Sequence, residues 1–298
     1  MNNSSWIESD VKTISSTIGA RSWIRKFTSI IATAVGNDVF IGYACKVTNA
    51  YIDNFVQIAG KTEIIGSNDA PIHIASFAWV GVNVRIMPGV SIGKGAIIGA
   101  GTVVTNDVPP FQIVVGTPAR FLKMREVQNQ LKPEFSKFMD FIRSHPKNPT
   151  IIVSKSMNNQ QACIQADIAL IGSLSVGKDT IIDGKRRDNM QNGGLQGGGN
   201  VTIGSKCLLE TAGGLHIAGN LCIGKNCTVE TMNHDYSFLS LPQQSQKIEI
   251  GKNVSIGDNT IILAGAKIAD NEVIPANSIV LKDKVISRKR KDAKNYAE

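Results

Sequence analysis

The chain has 298 residues, of which 42% are hydrophobic, and a formal net charge of +8 at pH 7. This length predicts two domains. No apolar run is long enough to span a membrane, and residues 1–10 lack the basic and apolar regions of a signal peptide. The positive charge indicates an anionic partner. Nucleic acid is disfavoured, because the aromatic residues are too few and too scattered to form a base-stacking surface.

Aliphatic residues recur at every sixth position over two long stretches. The first ladder consists of Ile18, Ile24, Ile30, Val35, Ile41, Val47, Ile52, Ile58, Ile64, Ile74, Val80, Ile86, Ile92, Ile98 and Val104. The second consists of Ile164, Leu170, Val176, Ile182, Ile203, Leu209, Ile217, Ile223, Val229, Ile250, Ile256, Ile262, Ile268, Ile274 and Val280. This period fits neither an α-helix nor an alternating strand. A hexapeptide repeat that builds a parallel β-helix accounts for it.

In such a repeat each hexad supplies one short strand and one turn, and the aliphatic residue stacks on its equivalent one coil later. The fifth position of a hexad also points inward and must be small, which explains Cys45, Cys207 and Cys227. The five cysteines have neither metal-ligand nor disulfide spacing. The chain is therefore expected to be reduced, intracellular and cytoplasmic.

The segment between the two ladders has a different pattern. Residues Phe121–Ser144 carry apolar side chains at helical spacing, and Pro133 is expected to kink or split the helix. Residues 145–149 form a proline-containing hinge. The predicted fold class is all-β, with two β-helix domains joined by an α-helical linker. The predicted boundaries are 1–120, 121–149 and 150–298.

The second ladder is interrupted by a glycine-rich polar insertion at residues 183–200. Its glycine clusters do not form a dinucleotide fingerprint, because no strand–turn–helix pattern surrounds them. The insertion is predicted to be a flexible or substrate-facing loop.

A smooth β-helix has no cleft of its own, so the breaks in the ladders are where chemistry is expected. In the second ladder one hexad ends at His234 and is followed by a long loop, residues 235–247. The corresponding hexad of the first ladder ends at Asp69, and only residues 70–73 precede the next hexad. His234 is therefore the candidate catalytic residue.

An imidazole has an ordinary pKa of about 6.5, which suits it to remove a hydroxyl proton at neutral pH. Glu230, Asp235 or a backbone carbonyl could hold the ring of His234 in the correct tautomer. His73 and His216 each precede an inward isoleucine and are expected to face outward. The four histidines are not placed to converge on a metal, so no metal site is predicted.

Two stretches carry a specific resemblance to a known family. Residues 79–110, followed by Gly116-Thr-Pro-Ala-Arg120, resemble the terminal coils of the hexapeptide-repeat acyltransferases. Asn233-His234-Asp235 followed by a loop is similar to the catalytic position of that family. The family includes maltose, galactoside and xenobiotic acetyltransferases and the surface-polysaccharide O-acetyltransferases.

The resemblance implies a left-handed superhelix, homotrimers with active sites between prisms, and acetyl-CoA as the acyl donor. By position it implies cofactor contacts at Gly257, Ala276 and Lys282, the last suited to a CoA phosphate. Ala264 and Gly265 are small enough to let a pantetheine arm approach closely.

Each domain departs from the family pattern. Ser255 stands in the second domain where a tryptophan is common, and Leu281 where a threonine is usual. The first domain has that tryptophan, Trp79, but Asp69 replaces the histidine. The first domain is therefore either a degenerate copy kept for assembly, which we favour, or the wall that completes a composite site with His234.

The predicted function is acetyl-CoA-dependent O-acetyltransfer to a sugar hydroxyl of a surface polysaccharide or its precursor, with His234 as general base. The alternatives are a xenobiotic or amino-sugar N-acetyltransferase and a non-catalytic β-helix scaffold. The basic run at residues 282–291 is either a solvated tail or a surface for a phosphorylated cofactor or an acidic polymer.

Overall fold

The computed structural model describes residues 4–132, 149–184, 193–282 and 284–287. The described residues form strands, turns and bends, and no helix occurs among them. Consequently none of these ranges contains a helix long and apolar enough to cross a membrane. The chain divides into two compact units. A short segment that interrupts the second ladder belongs to the first unit. The first unit comprises Met1–Pro146 and His234–Pro242, and the second Lys147–Asn233 and Gln243–Glu298.

The strands that precede residue 130 are short and regularly spaced. They are β1 (Trp6–Ile7), β2 (Lys12–Ile14), β3 (Thr17–Ile18), β4 (Trp23–Ile24), β5 (Ser29–Ile31), β6 (Ala34–Val35), β7 (Phe40–Ile41), β8 (Lys46–Thr48), β9 (Ala50–Ile52), β10 (Gln57–Ile58), β11 (Glu63–Ile65), β12 (Ile72–Ile74), β13 (Trp79–Val80), β14 (Arg85–Ile86), β15 (Ser91–Ile92), β16 (Ile97–Ile98), β17 (Val103–Val104), β18 (Gln112–Val115) and β19 (Arg120–Met124).

The strands that follow residue 149 include two longer ones. They are β20 (Ile151–Val153), β21 (Ser156–Asn159), β22 (Cys163–Gln165), β23 (Ile168–Val176), β24 (Ile181–Asp183), β25 (Leu195–Ile203), β26 (Leu208–Glu210), β27 (Leu215–Ile217), β28 (Leu221–Ile223), β29 (Thr228–Glu230), β30 (Met232–His234), β31 (Gln243–Ser245), β32 (Ile248–Ile250), β33 (Val254–Ile256), β34 (Ile261–Ile262), β35 (Lys267–Ile268), β36 (Val273–Ile274), β37 (Ser278–Leu281) and β38 (Lys284–Ser287).

The first unit is a parallel β-helix built from three sheets, in which every third strand pairs with the next coil. In one sheet Ile24, Ile41 and Ile58 are register partners, so one coil contains seventeen residues (41 − 24 = 17 and 58 − 41 = 17). Both coils are one residue shorter than three hexads, because one hexad in each has only five residues. The stacked aliphatic residues of this ladder from Ile24 to Val104 form one buried cluster, and Ile18 packs against it while partly buried, as the period predicts.

The second unit is also built from stacked parallel strands, which form one ten-stranded and one seven-stranded sheet. Ile182, Leu209, Val229, Ile262 and Val280 are consecutive register partners on parallel strands. All five belong to one buried cluster that extends along the unit. The prediction of β-helices built on a six-residue repeat is therefore confirmed by the pairing and by the burial.

The prediction of a loop at the glycine-rich insertion is wrong for its second half. Residues 195–203 form strand β25, which pairs along its whole length with β23. A Cβ on Gly197 would lie 1.9 Å from the carbonyl oxygen of Ile217, and one on Gly172 would lie 1.8 Å from that of Gly199. These glycines therefore permit close approach of neighbouring coils. Residues 185–192 of the insertion lie outside the described residues.

The α-helical linker predicted for residues 121–149 is not supported. Its first residues belong to β19, which pairs antiparallel with β18 at the end of the first β-helix. A solenoid leaves an edge strand at its last coil, and β19 covers that edge. The backbone hydrogen bonds that β19 forms along this edge stabilise a strand more than the helical spacing of Phe121, Leu122 and Met124 stabilises a helix. The side chains of these three residues are exposed. Residues 133–148 of the predicted helix lie outside the described residues.

The predicted inward and outward positions agree with the structure. Cys45, Cys207 and Cys227 are buried, whereas Cys222 is exposed. His73 and His216 are both exposed, as expected for residues that precede an inward isoleucine. His145 lies outside the described residues.

Burial should control which cysteine reacts. Desolvation raises the pKa of the Cys45 thiol to about 12, which lowers its thiolate fraction about a thousandfold relative to an ordinary cysteine. We expect a thiol reagent at pH 8 to modify Cys222 rapidly in the native protein and to leave Cys45 unmodified until denaturant is added. Peptide mass spectrometry after timed labelling measures both rates. Equal labelling of the two cysteines in the native protein would contradict the placement of Cys45 in the buried core.

Candidate active site

His234 ends strand β30, which pairs with β31 to form a hairpin. The hairpin encloses the segment His234–Pro242, here called the histidine loop, and the amide of Asp235 donates to the carbonyl of Pro242 across its base. The imidazole of His234 is half-buried, with Nδ1 2.7 Å from the carbonyl oxygen of Leu241. Since a carbonyl can only accept, Nδ1 carries the hydrogen and Nε2 is the basic nitrogen of the neutral ring.

This contact selects one of the three orienting groups considered from the sequence. The backbone carbonyl of Leu241 holds the tautomer. The carboxylate of Asp235 accepts hydrogen bonds from the amide of Ser237 at 3.0 Å and from its hydroxyl at 2.6 Å, which lower the pKa of Asp235. Asp235 thus closes a turn within the loop.

The histidine loop lies on one face of the first β-helix. Four residues occupy successive outward positions on β10, β13, β16 and β18, and we call them the outer column: Gln57, Trp79, Ile97 and Ile113. Ile97 and Ile113 are 1% and 7% exposed although their side chains point away from the core ladder. They are covered by Leu241, with Trp79 and Tyr236 packed against the same cluster.

Trp79 places an aromatic surface beside the candidate base. Its ring centroid lies 5.6 Å from that of His234 and 5.5 Å from that of Tyr236. Burial raises the pKa of Tyr236 to about 12, so its phenol stays protonated at neutral pH. The imidazole therefore has the indole of Trp79, an uncharged aromatic ring, beside it on the side of the first β-helix.

Backbone hydrogen bonds fix the loop to residues that follow β19. The amide of Gln128 donates to the carbonyl of Ser237 at 2.8 Å, and the amide of Leu239 donates to the carbonyl of Asn129 at 2.9 Å. The Gln57 side-chain amide donates to the carbonyl of Ser240 at 3.3 Å. The sequence reasoning missed Gln128 and Asn129, because it assigned residues 121–144 to a helix. The sequence did contain one signal that this face is covered. Ile97 and Ile113 are apolar at outward positions, and an outward position that faces solvent does not require an apolar residue.

The five predicted cofactor contacts all lie in the second unit. Gly257 and Ala276 are brought together at a corner of successive coils, where a Cβ on Gly257 would lie 2.4 Å from the Ala276 amide nitrogen. Gly265 has a φ of 79°, and Lys282 is exposed in the turn between β37 and β38. Ala264 is half-buried. The close approach of Ala276 explains Gly257 by the fold alone, and the predicted roles of these five residues stay predictions.

The first ladder has an aspartate, Asp69, and not a histidine at the corresponding break. Asp69 is exposed in a tight turn in which Ser67 and Ala70 exchange backbone hydrogen bonds. Among the described residues no group of three or more histidine, cysteine or acidic side chains is arranged to hold a metal ion.

Comparison with known families is consistent with the repeat architecture. Residues 71–106 match the bacterial transferase hexapeptide model, and residues 247–282 match the hexapeptide repeat of succinyl-transferase. The predicted resemblance to the hexapeptide-repeat acyltransferases is therefore confirmed.

Individual relatives carry acetyltransferase names. A Staphylococcus aureus strain COL protein that carries such a name is 48% identical over 64 residues, which are 22% of this chain and 31% of the relative. The galactoside O-acetyltransferase of Escherichia coli K12 is 27% identical over 153 residues, which are 44% of this chain and 73% of the relative. The chain thus spans about a third of the length of the first of these relatives.

Solved structures of acetyltransferases align with parts of the chain. The acetyltransferase domain of PglB from Neisseria gonorrhoeae, in complex with acetyl coenzyme A, has a TM-score of 0.38 at 24% identity and covers 41% of this chain and 58% of that one. A maltose O-acetyltransferase from Clostridium difficile has a TM-score of 0.26 at 23% identity and covers 40% and 68%.

Proposed function

We propose that this protein transfers an acetyl group from acetyl-CoA to a sugar hydroxyl, with His234 as the general base. The observation that carries the proposal is the 2.7 Å contact between Nδ1 of His234 and the carbonyl of Leu241. This contact commits Nε2 to accepting a proton, which is what an attacking hydroxyl must lose. The acetyltransferase names of the relatives support acetyl-CoA as the donor.

The proposed reaction is a direct transfer. The hydroxyl oxygen attacks the thioester carbonyl carbon while its proton passes to Nε2 of His234. The tetrahedral intermediate then collapses, the carbon–sulfur bond breaks, and the imidazolium returns the proton to the CoA thiolate. The products are an acetyl ester and CoA, and no covalent enzyme intermediate is required.

Trp79 supports a carbohydrate as the acceptor. An aromatic face beside a general base suits the apolar face of a sugar ring, whose hydroxyl groups project from the ring edge. The E. coli relative named galactoside O-acetyltransferase favours the same acceptor class. In this proposal the outer column of the first β-helix forms one wall of the site, which favours the composite alternative over a purely structural first domain.

Other parts of the proposal rest on the family resemblance. These are the surface-polysaccharide acceptor, the homotrimer, the cytoplasmic location and the donor contacts at Gly257, Ala264, Gly265, Ala276 and Lys282.

A matched acceptor panel tests the reaction. We expect release of CoA from acetyl-CoA in the presence of a hydroxyl sugar, with a product that alkaline hydroxylamine cleaves because it is an ester. Amino sugars that differ from the panel members only at one position are the control, since an amide product resists hydroxylamine. Turnover with the amino sugars alone would overturn O-acetylation in favour of N-acetylation. Absence of turnover together with absence of CoA binding by calorimetry would indicate a scaffold.

A further inference from the structure

Arg125 makes an unusual set of contacts outside both repeat ladders. It follows β19, and its residue is only 5% exposed. Nε donates to the carbonyl of Tyr236 at 2.8 Å, and Nη2 donates to that of Phe238 at 2.7 Å. Nη1 donates to the carbonyls of Gly95 at 2.9 Å and Phe77 at 3.2 Å. The guanidinium thus joins two carbonyls of the histidine loop to two carbonyls at corners of the first β-helix.

The chemistry of this cluster requires arginine. A guanidinium presents its N–H groups in a rigid planar fork, whereas the lysine ammonium is a compact point charge on a flexible stem. Desolvation lowers the pKa of Arg125 to about 10, so the group is still protonated at neutral pH. Burying a cation is costly, and four neutral carbonyls offset that cost only while the loop is seated.

The clamped carbonyls lie close to the candidate base along the chain. Tyr236 is two residues after His234, and Phe238 is three residues before Leu241, whose carbonyl receives the Nδ1 hydrogen. Between Phe238 and Leu241, the amide of Leu239 also donates a hydrogen bond to the carbonyl of Asn129. Arg125 therefore acts on the same short segment that holds the imidazole.

We propose that Arg125 is a positioning residue that seats the histidine loop on the first β-helix, and thereby keeps the Leu241 carbonyl against Nδ1 of His234. The inference rests on the proposed function for its catalytic consequence. The seating itself does not depend on that function, so the two are tested separately.

The test compares Arg125→Met with Arg125→Lys in the full-length chain. Lys123→Met is the matched control, because it removes a cation from an exposed position two residues away. Nitrogen-15 NMR of the histidine rings reports the tautomer of His234, assigned by its loss in His234→Ala. Amide hydrogen exchange reports the seating through the amides of Asp235 and Leu239.

We expect Arg125→Met to raise exchange at these amides at least tenfold and to abolish the single Nδ1–H tautomer of His234. Turnover should fall about 100-fold in kcat, as for a small misplacement of a catalytic group, with less than a threefold change in the KM for acetyl-CoA. Arg125→Lys should show the same changes at reduced size, and Lys123→Met none of them.

An unchanged tautomer and unchanged exchange in Arg125→Met would overturn the inference whether or not the protein is active. If Arg125→Met does not fold, the same two measurements on Arg125→Lys decide, and wild-type values there would overturn the inference. Normal seating signals in a wild-type protein without turnover would overturn the proposed function alone.

Discussion

Replacing His234 with alanine is expected to lower kcat about 10²- to 10⁴-fold, the range usual for loss of a general base. The KM for acetyl-CoA should change little, because the imidazole acts on the acceptor hydroxyl. The limb of the pH–rate profile along which activity rises with pH should disappear, since it reports deprotonation of the base. Steady-state kinetics from pH 5 to 9 with wild type and variant measure both effects.

Two exposed histidines provide the controls. His73→Ala and His216→Ala remove the same ring from outward strand positions in the first and second units. Both variants should retain kcat within about twofold, the size of an ordinary surface substitution. A His234→Ala variant with turnover equal to these controls would remove the residue from the mechanism while leaving the fold assignment intact.

The ladder residues were predictable because their environment repeats. Ile41 and Ile58 occupy the same inward position one coil apart, so a six-residue period in the sequence becomes a stacked column. The same register placed Cys45 inside the core. His234 was chosen as the candidate base from the break in that period, which can be located without knowledge of distant contacts.

The surroundings of His234 could not be predicted in the same way, because they are non-local. Arg125 bonds the carbonyl of Tyr236 across 111 residues of sequence. Its own segment has helical spacing, and local pattern alone favours a helix there. The open edge of β18 favours a strand instead. Strand β19 covers that edge through backbone hydrogen bonds, which depend little on side-chain identity. Only the three-dimensional arrangement shows that the edge is available.

The first coil of the first β-helix contains a buried ion pair whose loss should have the largest effect on stability. The carboxylate of Glu8 lies 2.8 Å from Nε of Arg25, and both residues are buried. Arg25 lies over the ring of Trp23 at 4.5 Å and over that of Tyr43 at 3.9 Å. Glu8 also accepts hydrogen bonds from the indole of Trp23 and from the amide of Lys26.

Glu8→Gln is expected to lower the free energy of unfolding of the first unit by about 3–5 kcal/mol, because it leaves the Arg25 cation buried without its counter-charge. All three tryptophans of the chain, at positions 6, 23 and 79, belong to this unit. Tryptophan fluorescence during urea denaturation therefore measures its unfolding without a contribution from the second unit.

The same substitution at Glu63 is the matched control. Glu63 pairs with Arg85 at 2.7 Å on a solvated face of the same unit, and exposed pairs contribute only about 0.2–1 kcal/mol. Adding Arg25→Met to Glu8→Gln should recover more than half of the lost stability, because removing the cation removes the uncompensated charge while the glutamine oxygen still accepts from the indole of Trp23. If Glu8→Gln cost no more than Glu63→Gln, the stability of the first coil would come from the stacking of Trp23 with its aromatic neighbours.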